Sequence, residues 1–497
     1  MADCIARSDL LRFSEFISSQ MGLHFPPERR ADIQRGISSA APEFGFADPE
    51  ACIQWLMSSP LTRRQIEILA SHLTIGETYF FREKPIFEAL RDKVLKELIQ
   101  SRMTTSRRLR IWSAGCSSGE EPYSIAMLLS RFLPDIKDWN ITILATDINP
   151  QSLDKARDGL YKEWSFRNAP ADIKEQFFSK TRDKSYQIRA DMQELVRLGY
   201  LNLAEDTYPS LLNDTNAMDV IFCKNVLMYF NPDTQKKVIQ KLYRCLVNKG
   251  WLIVSPCETS HLLFHRFQTV NFPETTFYRK DGRQAKPEPD LGPELQSFSF
   301  HPPDDLLPGS LPDILPPVDI LPAPIPEAGD LPIAPQPESE PSPYEEALSL
   351  YARGLYQEVV DLLAPLAGGD CRNSALVARS YANQGNLTEA LRWCDKMVAA
   401  DKLNPGSYYL QASILLEEGR IEAATASLKK ALYLEPDFVL AHFALGNLAL
   451  QHGNSRVANR HLNNALKLAR TYDQGGPLPE ADGVTAGRLS EIISRMI

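Results

Sequence analysis

No stretch of this 497-residue chain approaches the ~18 consecutive apolar residues that a membrane-crossing helix needs. Its opening, MADCIARSDLLRF, also lacks the layout of a secretory leader. A protein with no membrane insertion and a cytoplasmic address is therefore expected. Cysteine is sparse and scattered: Cys4, Cys52, Cys116, Cys223, Cys245, Cys257, Cys371 and Cys394 form no C-x-x-C pair and have no histidine at zinc spacing. Most of these thiols are therefore expected to be reduced, buried, small apolar residues. His261 and His265 stand four apart, but no third ligand is evident, so no metal is expected. Basic runs with interleaved aromatics are missing too, and the formal net charge is −9. Nucleic acid is not an expected partner, because binding it takes Lys and Arg gathered on one face.

Lys and Arg vanish altogether from Pro287 to Pro343, while Asp and Glu recur and Leu-Pro or Ile-Pro returns at short intervals in LLPGSLPDILPPVDILPAPIP. Proline removes the N–H donor and biases its predecessor away from the helical region, so neither helix nor interior strand is expected there. These 57 residues read as a linker that could reach roughly 180 Å as polyproline II and would average nearer ~40 Å as a coil. The parts it joins are expected to be tethered rather than rigidly joined. Truncation at about residue 285 is accordingly expected to leave the fold of the first part intact.

Beyond the linker the chain repeats. Gly385, Gly419 and Gly453 are spaced by 34, as are Ala378, Ala412 and Gly446, and Ala390, Ala424 and Ala458. Small residues at fixed places let paired helices approach, and each glycine ends the first helix of its pair. The pattern resembles the tetratricopeptide repeat, whose period is 34. A degenerate earlier copy fits Ala347, Gly354 and Leu363, and GRLSEIISRMI reads as a capping helix.

Residues 1 to about 95 show helical periodicity, with Leu10, Phe13, Phe16 and Ile17 on one side of DLLRFSEFISSQMGL. Short apolar runs follow: LRIWSAGC and ITILATDI flank the helix EEPYSIAMLLSRFL, and DVIFCKNVL and WLIVSP flank DTQKKVIQKLYRCL. This alternation predicts an α/β, Rossmann-like, doubly wound and mostly parallel sheet, with ligands at the carboxyl ends of its strands. SYQIRADMQELVRLGYLNL reads as extended segments of a small β insertion.

The turn SAGCSSGEEPY, residues 113–123, closes the first strand. Such a turn commonly cradles phosphate, but Glu120 and Glu121 would repel one and no P-loop lysine is present. Asp147 ends the second strand, where an acidic residue accepts hydrogen bonds from ribose hydroxyls. A positively charged nucleoside such as S-adenosyl-L-methionine fits these groups, with a cation for its carboxylate supplied from elsewhere in the chain.

Five segments in order, LTIGETYFFRE (73–83), IWSAGCSSGEEPYSIA (111–126), ATDIN (145–149), LNL (201–203) and IFCKNVLMYF (221–230), resemble the CheR family of chemotaxis-receptor glutamate O-methyltransferases over about residues 8–280. The resemblance implies that Thr78 and Arg82 bind the methionine end of the cofactor, Arg82 being the missing cation. Glu121, with Glu120 beside it, and Asp147 would hold amino or ribose groups. Asn202 and Leu203 would border the adenine, Lys224 with Asn225 would close the pocket, and Tyr229 would line the methyl-transfer position. Gly76 stands where many members carry Asn, and Lys224 where Arg is frequent. Taken singly, Arg82 could be a surface residue, Glu120 and Glu121 a pair at a helix N-terminus, Asp147 a turn cap and Tyr229 a core aromatic; jointly they describe a site.

The implied domains are a helical unit at 1–95, a methyltransferase at 96–282, the linker at 283–343 and the repeats at 344–497. The implied reaction moves a methyl group to glutamate carboxylates on the cytoplasmic domain of a chemoreceptor, leaving S-adenosyl-L-homocysteine. A carboxylate is already ionised at neutral pH, so no general base is required, and alignment can contribute up to ~7–11 kcal/mol. The repeats would bind a further, unidentified protein. A scaffold with a decayed site, or a methyltransferase for another carboxylate substrate, are the competing expectations.

Overall fold

The computed structural model describes residues 5–281 and 342–497, except 134, 205–207, 368–369, 482 and 495. Nearly all of the linker expected at 283–343 lies outside the described residues.

The first unit is made of α1 (Arg7–Met21), α2 (Arg30–Ala40), α3 (Pro49–Leu56) and α4 (Arg63–Leu73). Local chemistry sets their ends. Asp48 caps α3 by accepting from Glu50 and Ala51, Thr62 and Gln65 form a capping box on α4, and Gly22 closes α1 in the left-handed region. Leu10, Phe13, Ile17 and Met21 face inward on α1, and the cluster they join runs from Ile5 to Leu73. The next helical stretch, α5 (Lys84–Ala89), a π turn at Leu90–Leu95 and α6 (Lys96–Arg102), belongs elsewhere. Its Ile86, Leu90 and Val94 share a core with Leu109, Ile111 and Phe222, so it crosses the boundary expected near residue 95 and covers the sheet.

The α/β layer follows as β1 (Arg108–Ala114), α7 (Glu120–Phe132), β2 (Asn140–Asp147), α8 (Pro150–Asp158), β3 (Leu160–Tyr161), α9 (Ile173–Phe177), β4 (Phe178–Lys180), β5 (Tyr186–Ile188), α10 (Ala190–Glu194), β6 (Val196–Tyr200), β7 (Met218–Phe222), α11 (Pro232–Cys245), β8 (Leu246–Ile253), β9 (Phe267–Phe272) and β10 (Thr275–Lys280). Among the described residues a seven-stranded sheet has the order β6-β2-β1-β7-β8-β10-β9. Ile111 lies opposite both Ile143 and Val220 in parallel register, while β10 runs antiparallel to β8 and β9. The expected doubly wound sheet is thus borne out, and the strand order reverses beside β1, where a crevice must open.

The segment expected as one insertion divides in two. Tyr186–Ile188 sits in a separate sheet ordered β3-β5-β4, but Val196–Tyr200 pairs in parallel with β2 and forms an edge of the main sheet. The short helix α10 between them carries the chain from one sheet to the other.

The repeats are α12 (Pro343–Ala352), α13 (Tyr356–Leu363), α14 (Cys371–Asn383), α15 (Leu387–Ala400), α16 (Pro405–Glu417), α17 (Ile421–Leu434), α18 (Val439–Gln451), α19 (Ser455–Ala469) and the closing helix α20 (Ala486–Ser494). Gly354, Gly385, Gly419 and Gly453 end first helices at φ of 77, 76, 81 and 70°, a conformation that costs a Cβ-bearing residue ~1–2 kcal/mol. The 34-residue spacing of small residues reappears as helix contact. A Cβ on Gly446 would lie 2.6 Å from Leu462 Cγ.

Tethering without rigid contact is overturned. Gly354, Gly385 and Gly419 bring successive turns of the array against Arg244, Val247 and Asn140 of the α/β layer, whereas nothing lies within 4 Å of a Cβ on Gly453. Glu417, at the end of α16, accepts from Arg108 Nη2 at 2.9 Å and from the Asn216 amide, and its carbonyl takes the Asn140 amide at 3.1 Å. Arg108 and Glu417 are both 7 % exposed, and burial draws the Arg108 guanidinium down to about 10 against the pull of Glu417. At the far end Arg63 pairs with Glu491 at 3.2 Å, while Arg63 and Arg488 lie 3.9 and 4.9 Å from the Tyr200 ring. Charge in a compositional linker says nothing about faces outside it, which is why sequence reading missed this interface.

Candidate active site

The crevice lies where β1, β2, β6 and β7 end. Gly115, just beyond β1, has φ of 86°, and a Cβ there would fall 2.3 Å from Val226 Cγ2. Only glycine lets the turn after β1 meet the loop after β7. Ser117, Phe81, Glu83 and Asn225 also hold positive φ, at 47, 56, 65 and 57°. Such conformations, at ~1–3 kcal/mol each, persist where surrounding bonds over-determine them. Those bonds are present: Ser117 N donates to Asp147 Oδ2 at 2.8 Å, Phe81 N to Ser124 Oγ at 3.0 Å and Asn225 N to Glu258 Oε2 at 2.7 Å, while Glu83 Oε1 accepts from Ser255 Oγ at 2.8 Å.

Two cavities share the walls Ile75, Gly115, Ser117, Asn225 and Tyr229. The first, about 100 Å³, is mostly apolar: Ile148, Leu201, Leu203 and Phe230 line it, with Asp147 and Asn202 at its polar side. The second, about 350 Å³, is polar and carries Thr78, Arg82, Glu121, Lys224 and Cys257. An apolar slot with a carboxylate beside a charged chamber matches a nucleoside joined to an amino acid. Asp147 is held by the N–H groups of Ser117 and Asn149, each at 2.8 Å, and keeps further lone pairs for hydroxyl donors. Arg82 gives one N–H to the Glu77 carbonyl at 2.9 Å, and among the described residues it pairs with no carboxylate. The donor set therefore fits S-adenosylmethionine, which has ribose hydroxyls for Asp147 and a carboxylate for Arg82.

Of the residues expected at the site, Thr78, Arg82, Glu121, Lys224, Asn225 and Tyr229 meet at the polar chamber. Asp147, Asn202, Leu203, Asn225 and Tyr229 line the apolar slot. Glu120 does not join them. It turns to the hydroxyls of Ser118 and Ser165, at 2.7 and 3.0 Å, and burial raises its carboxyl above the usual range. Successive helical residues project ~100° apart, so only one of this adjacent pair can face the crevice. Lys224 forms the floor rather than a lid: its ammonium donates to the Arg82 carbonyl at 3.1 Å and pairs with Glu83 at 3.2 Å and Glu121 at 3.4 Å. Beside Gly76 the Ser117 hydroxyl reaches the Gly76 carbonyl at 3.3 Å, and a Cβ at 76 would lie 3.3 Å from that hydroxyl.

Sequence reading missed three groups. Met21, Leu23, His24 and Phe25 of the first unit line the apolar slot, and His24 N donates to the Tyr229 carbonyl at 2.7 Å. Cys257 is exposed in the chamber, unlike the buried Cys52, Cys116, Cys223, Cys245 and Cys394. Glu258 is buried and accepts from the backbone N–H groups of Asn225, Val226, Met228 and Ser255 at 2.7, 2.8, 3.2 and 3.2 Å. It fixes the loop that carries Asn225 and Tyr229. The S-x-x-E pattern of Ser255 and Glu258, a capping box, was the available signal.

Glu258→Gln replaces an all-acceptor group by one whose NH₂ must face backbone donors. A loss of about 1–3 kcal/mol is expected, read as a lower urea midpoint, together with weaker binding of S-adenosylhomocysteine by calorimetry. An unchanged midpoint and affinity would remove Glu258 from this role.

Burial raises Asp147 above the ordinary carboxylate range, against the N–H groups of Asn149 and Ser117. Hydroxyl donors need the ionised form, which is lost as pH falls through that raised value. Affinity for S-adenosylhomocysteine is expected to drop in acid at a higher pH than a normal aspartate would dictate, and Asp147→Asn should flatten this dependence. A pH series of calorimetric titrations with the same dependence in both proteins would contradict the assignment.

A family model described as "CheR methyltransferase, SAM binding domain" matches residues 76–276, and a tetratricopeptide-repeat model matches 412–453. The chemotaxis protein methyltransferase of Borreliella burgdorferi is 31 % identical over 257 residues, covering 51 % of this chain and 89 % of that protein. A probable chemotaxis protein methyltransferase of Rhizobium etli is 38 % identical, over 46 % of this chain and 85 % of its own length. The similarity to the probable biofilm formation methyltransferase WspC of Pseudomonas aeruginosa is lower, at 27 %, but extends over 90 % of this chain and 96 % of that one.

Proposed function

This chain belongs to the CheR family of S-adenosylmethionine-dependent chemotaxis methyltransferases, and from that premise we propose that it esterifies glutamate side chains on the cytoplasmic domain of a chemoreceptor. When bound, S-adenosyl-L-methionine supplies a methyl group on a positively charged sulfur. The observation that carries the reading is the two-part crevice, whose apolar half has Asp147 at its side and whose polar half has Arg82 free of carboxylate partners among the described residues.

Each role follows from the chemistry of the group. Asp147 accepts from ribose hydroxyls, and Leu203 and Asn202 border the base. Arg82 takes the amino-acid carboxylate through charge-assisted hydrogen bonds, with Thr78 adjacent. Glu121 accepts from the ammonium while Lys224 and Ser113 fix its orientation, the latter at 2.7 Å. Tyr229 belongs to both halves and lies under the Arg29 guanidinium at 5.1 Å. Burial raises its phenol further above neutrality, so it presents a neutral hydroxyl and an aromatic edge to an incoming carboxylate. That carboxylate arrives ionised, and the task left to the protein is alignment.

No helix of the described residues is long and apolar enough to cross a membrane, and a cytoplasmic enzyme that meets the receptor's inner domain is part of this proposal. The repeats are proposed to bind a further protein. Receptor-bearing membranes incubated with the full chain and radiolabelled donor are expected to gain label that is released as methanol in mild base. Label absent, or resistant to base, would refute carboxylate esterification. Arg82→Ala is expected to weaken S-adenosylhomocysteine binding roughly 10–150-fold, the equivalent of a charged hydrogen bond worth about 1.5–3 kcal/mol. An unchanged affinity would reject the role given to Arg82 while leaving the reaction class standing.

A further inference from the structure

The chain between α19 and α20 does not trail into solvent. Leu478, Ala481 and Val484 are buried in one cluster with Tyr409 and Ala412 of α16 and Ala441 and Leu445 of α18. Leu478 N donates to the Val484 carbonyl at 2.9 Å and Ala486 N to the Gly476 carbonyl at 3.1 Å, which closes the segment into a tight excursion. From its tip Glu480 reaches back to α14, where Arg379 Nη2 donates to its Oε2 at 2.5 Å. A Cβ on Gly406 would lie 3.4 Å from Glu480 Oε1, so the carboxylate rests on the first turn of α16, where the helix field favours an anion. The first helices of three successive repeats thus hold one Pro477-Leu478-Pro479-Glu480-Ala481 turn, with Glu480 at φ of 61°, through an apolar seat and a guanidinium.

The same pattern occurs a second time. Pro324-Ile325-Pro326-Glu327-Ala328, in the acidic linker, matches Pro477–Ala481 with only Ile in place of Leu. The linker is also far longer than its ends require. Lys280, the last residue of β10, has its ammonium 5.6 Å from the ring of Tyr356 on α13, and Arg266 Nη2 meets the Arg353 carbonyl at 3.4 Å. The chain therefore returns close to where it left, although residues 282–341 intervene. From Ala328 to Ser342, the cap of α12, fourteen steps of extended chain cover about 43 Å. α12 packs on α13 and α13 on α14, and two helix spacings of ~8–10 Å plus a helix length lie within that reach.

We infer that the groove over α14, α16 and α18 is a docking site for the linker segment Pro324–Ala328, which exchanges with the seated Pro477–Ala481. Glu327 takes the place of Glu480 on Arg379, and Ile325 that of Leu478. Both occupants are tethered, so the exchange is set by effective concentration rather than by mass action of a free ligand. Any outside acidic partner for this groove must displace two internal copies.

Hydrogen exchange of the full chain, followed separately for residues 322–331 and 474–487, tests this. In Glu480→Gln the second region is expected to exchange at least tenfold faster, and the first at least fivefold more slowly than in the unmodified protein. Adding Glu327→Gln, or Arg379→Ala, should abolish that slowing while α16 and α19 remain protected. Residues 322–331 exchanging at an unchanged rate in Glu480→Gln would overturn the inference. So would slowing that survives Arg379→Ala, which would place the segment elsewhere, or slowing that disappears on dilution, which would make a second copy the source. Should Glu480→Gln lose helical signal, Leu478→Ala weakens the same occupant from its apolar side and carries the same expectations.

Discussion

Glu417→Ala is expected to destabilise the full chain by about 3–5 kcal/mol, the cost of leaving a buried charge without its partner. Arg108 would remain between β1 and the end of α16, and Asn216 would lose its acceptor as well. Two comparisons separate this from a simple contact loss. Arg108→Met combined with Glu417→Leu removes both charges and is expected to recover stability to within ~1–2 kcal/mol of the unmodified protein, since well-packed apolar replacements of buried ion pairs are commonly near neutral. Ending the chain before the repeats should do less harm to the α/β layer than the point substitution, because Arg108 then returns to water. Urea unfolding followed by tryptophan fluorescence reads all three. A Glu417→Ala midpoint indistinguishable from the unmodified protein would mean that the repeats do not sit on the sheet as described.

Lys224→Met is the second large effect, and it falls on the crevice. Lys224 is the cation between Glu83 and Glu121, at 3.2 and 3.4 Å, and its side chain is 2 % exposed. Removing it sets two carboxylates against each other in the floor, again at about 3–5 kcal/mol. Some of that is expected to appear as lower stability and the rest as lost S-adenosylhomocysteine affinity, by more than 100-fold, because Glu121 and the Arg82 backbone are no longer held. Lys224→Arg should retain most binding if charge alone is required, and lose it if the compact ammonium is needed to meet three acceptors at once. Calorimetry that finds Lys224→Met binding within threefold of the unmodified protein would show that the floor does not organise the site.

The elements that sequence reading located best are those whose signal is local. Apolar runs of strand length around amphipathic helices gave β1, α7, β2, β7, α11 and β8, and the glycine spacing gave the repeat turns. The edge strand β6 was harder. Val196–Tyr200 is apolar on alternate residues like any half-buried strand, and only its pairing with Ile143–Asp147 tells which sheet it joins. Among site residues, Asp147 was legible because the end of a strand fixes where its carboxylate points. Glu120 and Glu121 were indistinguishable in sequence, since which of two adjacent helical residues faces a crevice depends on how the helix is rotated against the sheet. Glu258 shows in sequence only as the capping-box partner of Ser255; its hold on the N–H groups of Asn225, Val226 and Met228, thirty or more positions away, does not.

The amino-acid sequence by itself determined the order of parts: a helical unit, a parallel sheet with a nucleoside-type crevice at its strand ends, a proline-rich acidic stretch and a 34-residue helical repeat. Each rests on periodicity or backbone chemistry within a few dozen residues. Only the tertiary structure decided that the first unit walls the crevice, that Lys224 is a floor counter-ion, that the repeats lock onto the starting ends of β1 and β2 through Glu417, and that their groove holds a segment of the same chain. These are contacts between residues far apart in the chain, and desolvation and close packing, which settle them, exist only once the surfaces meet.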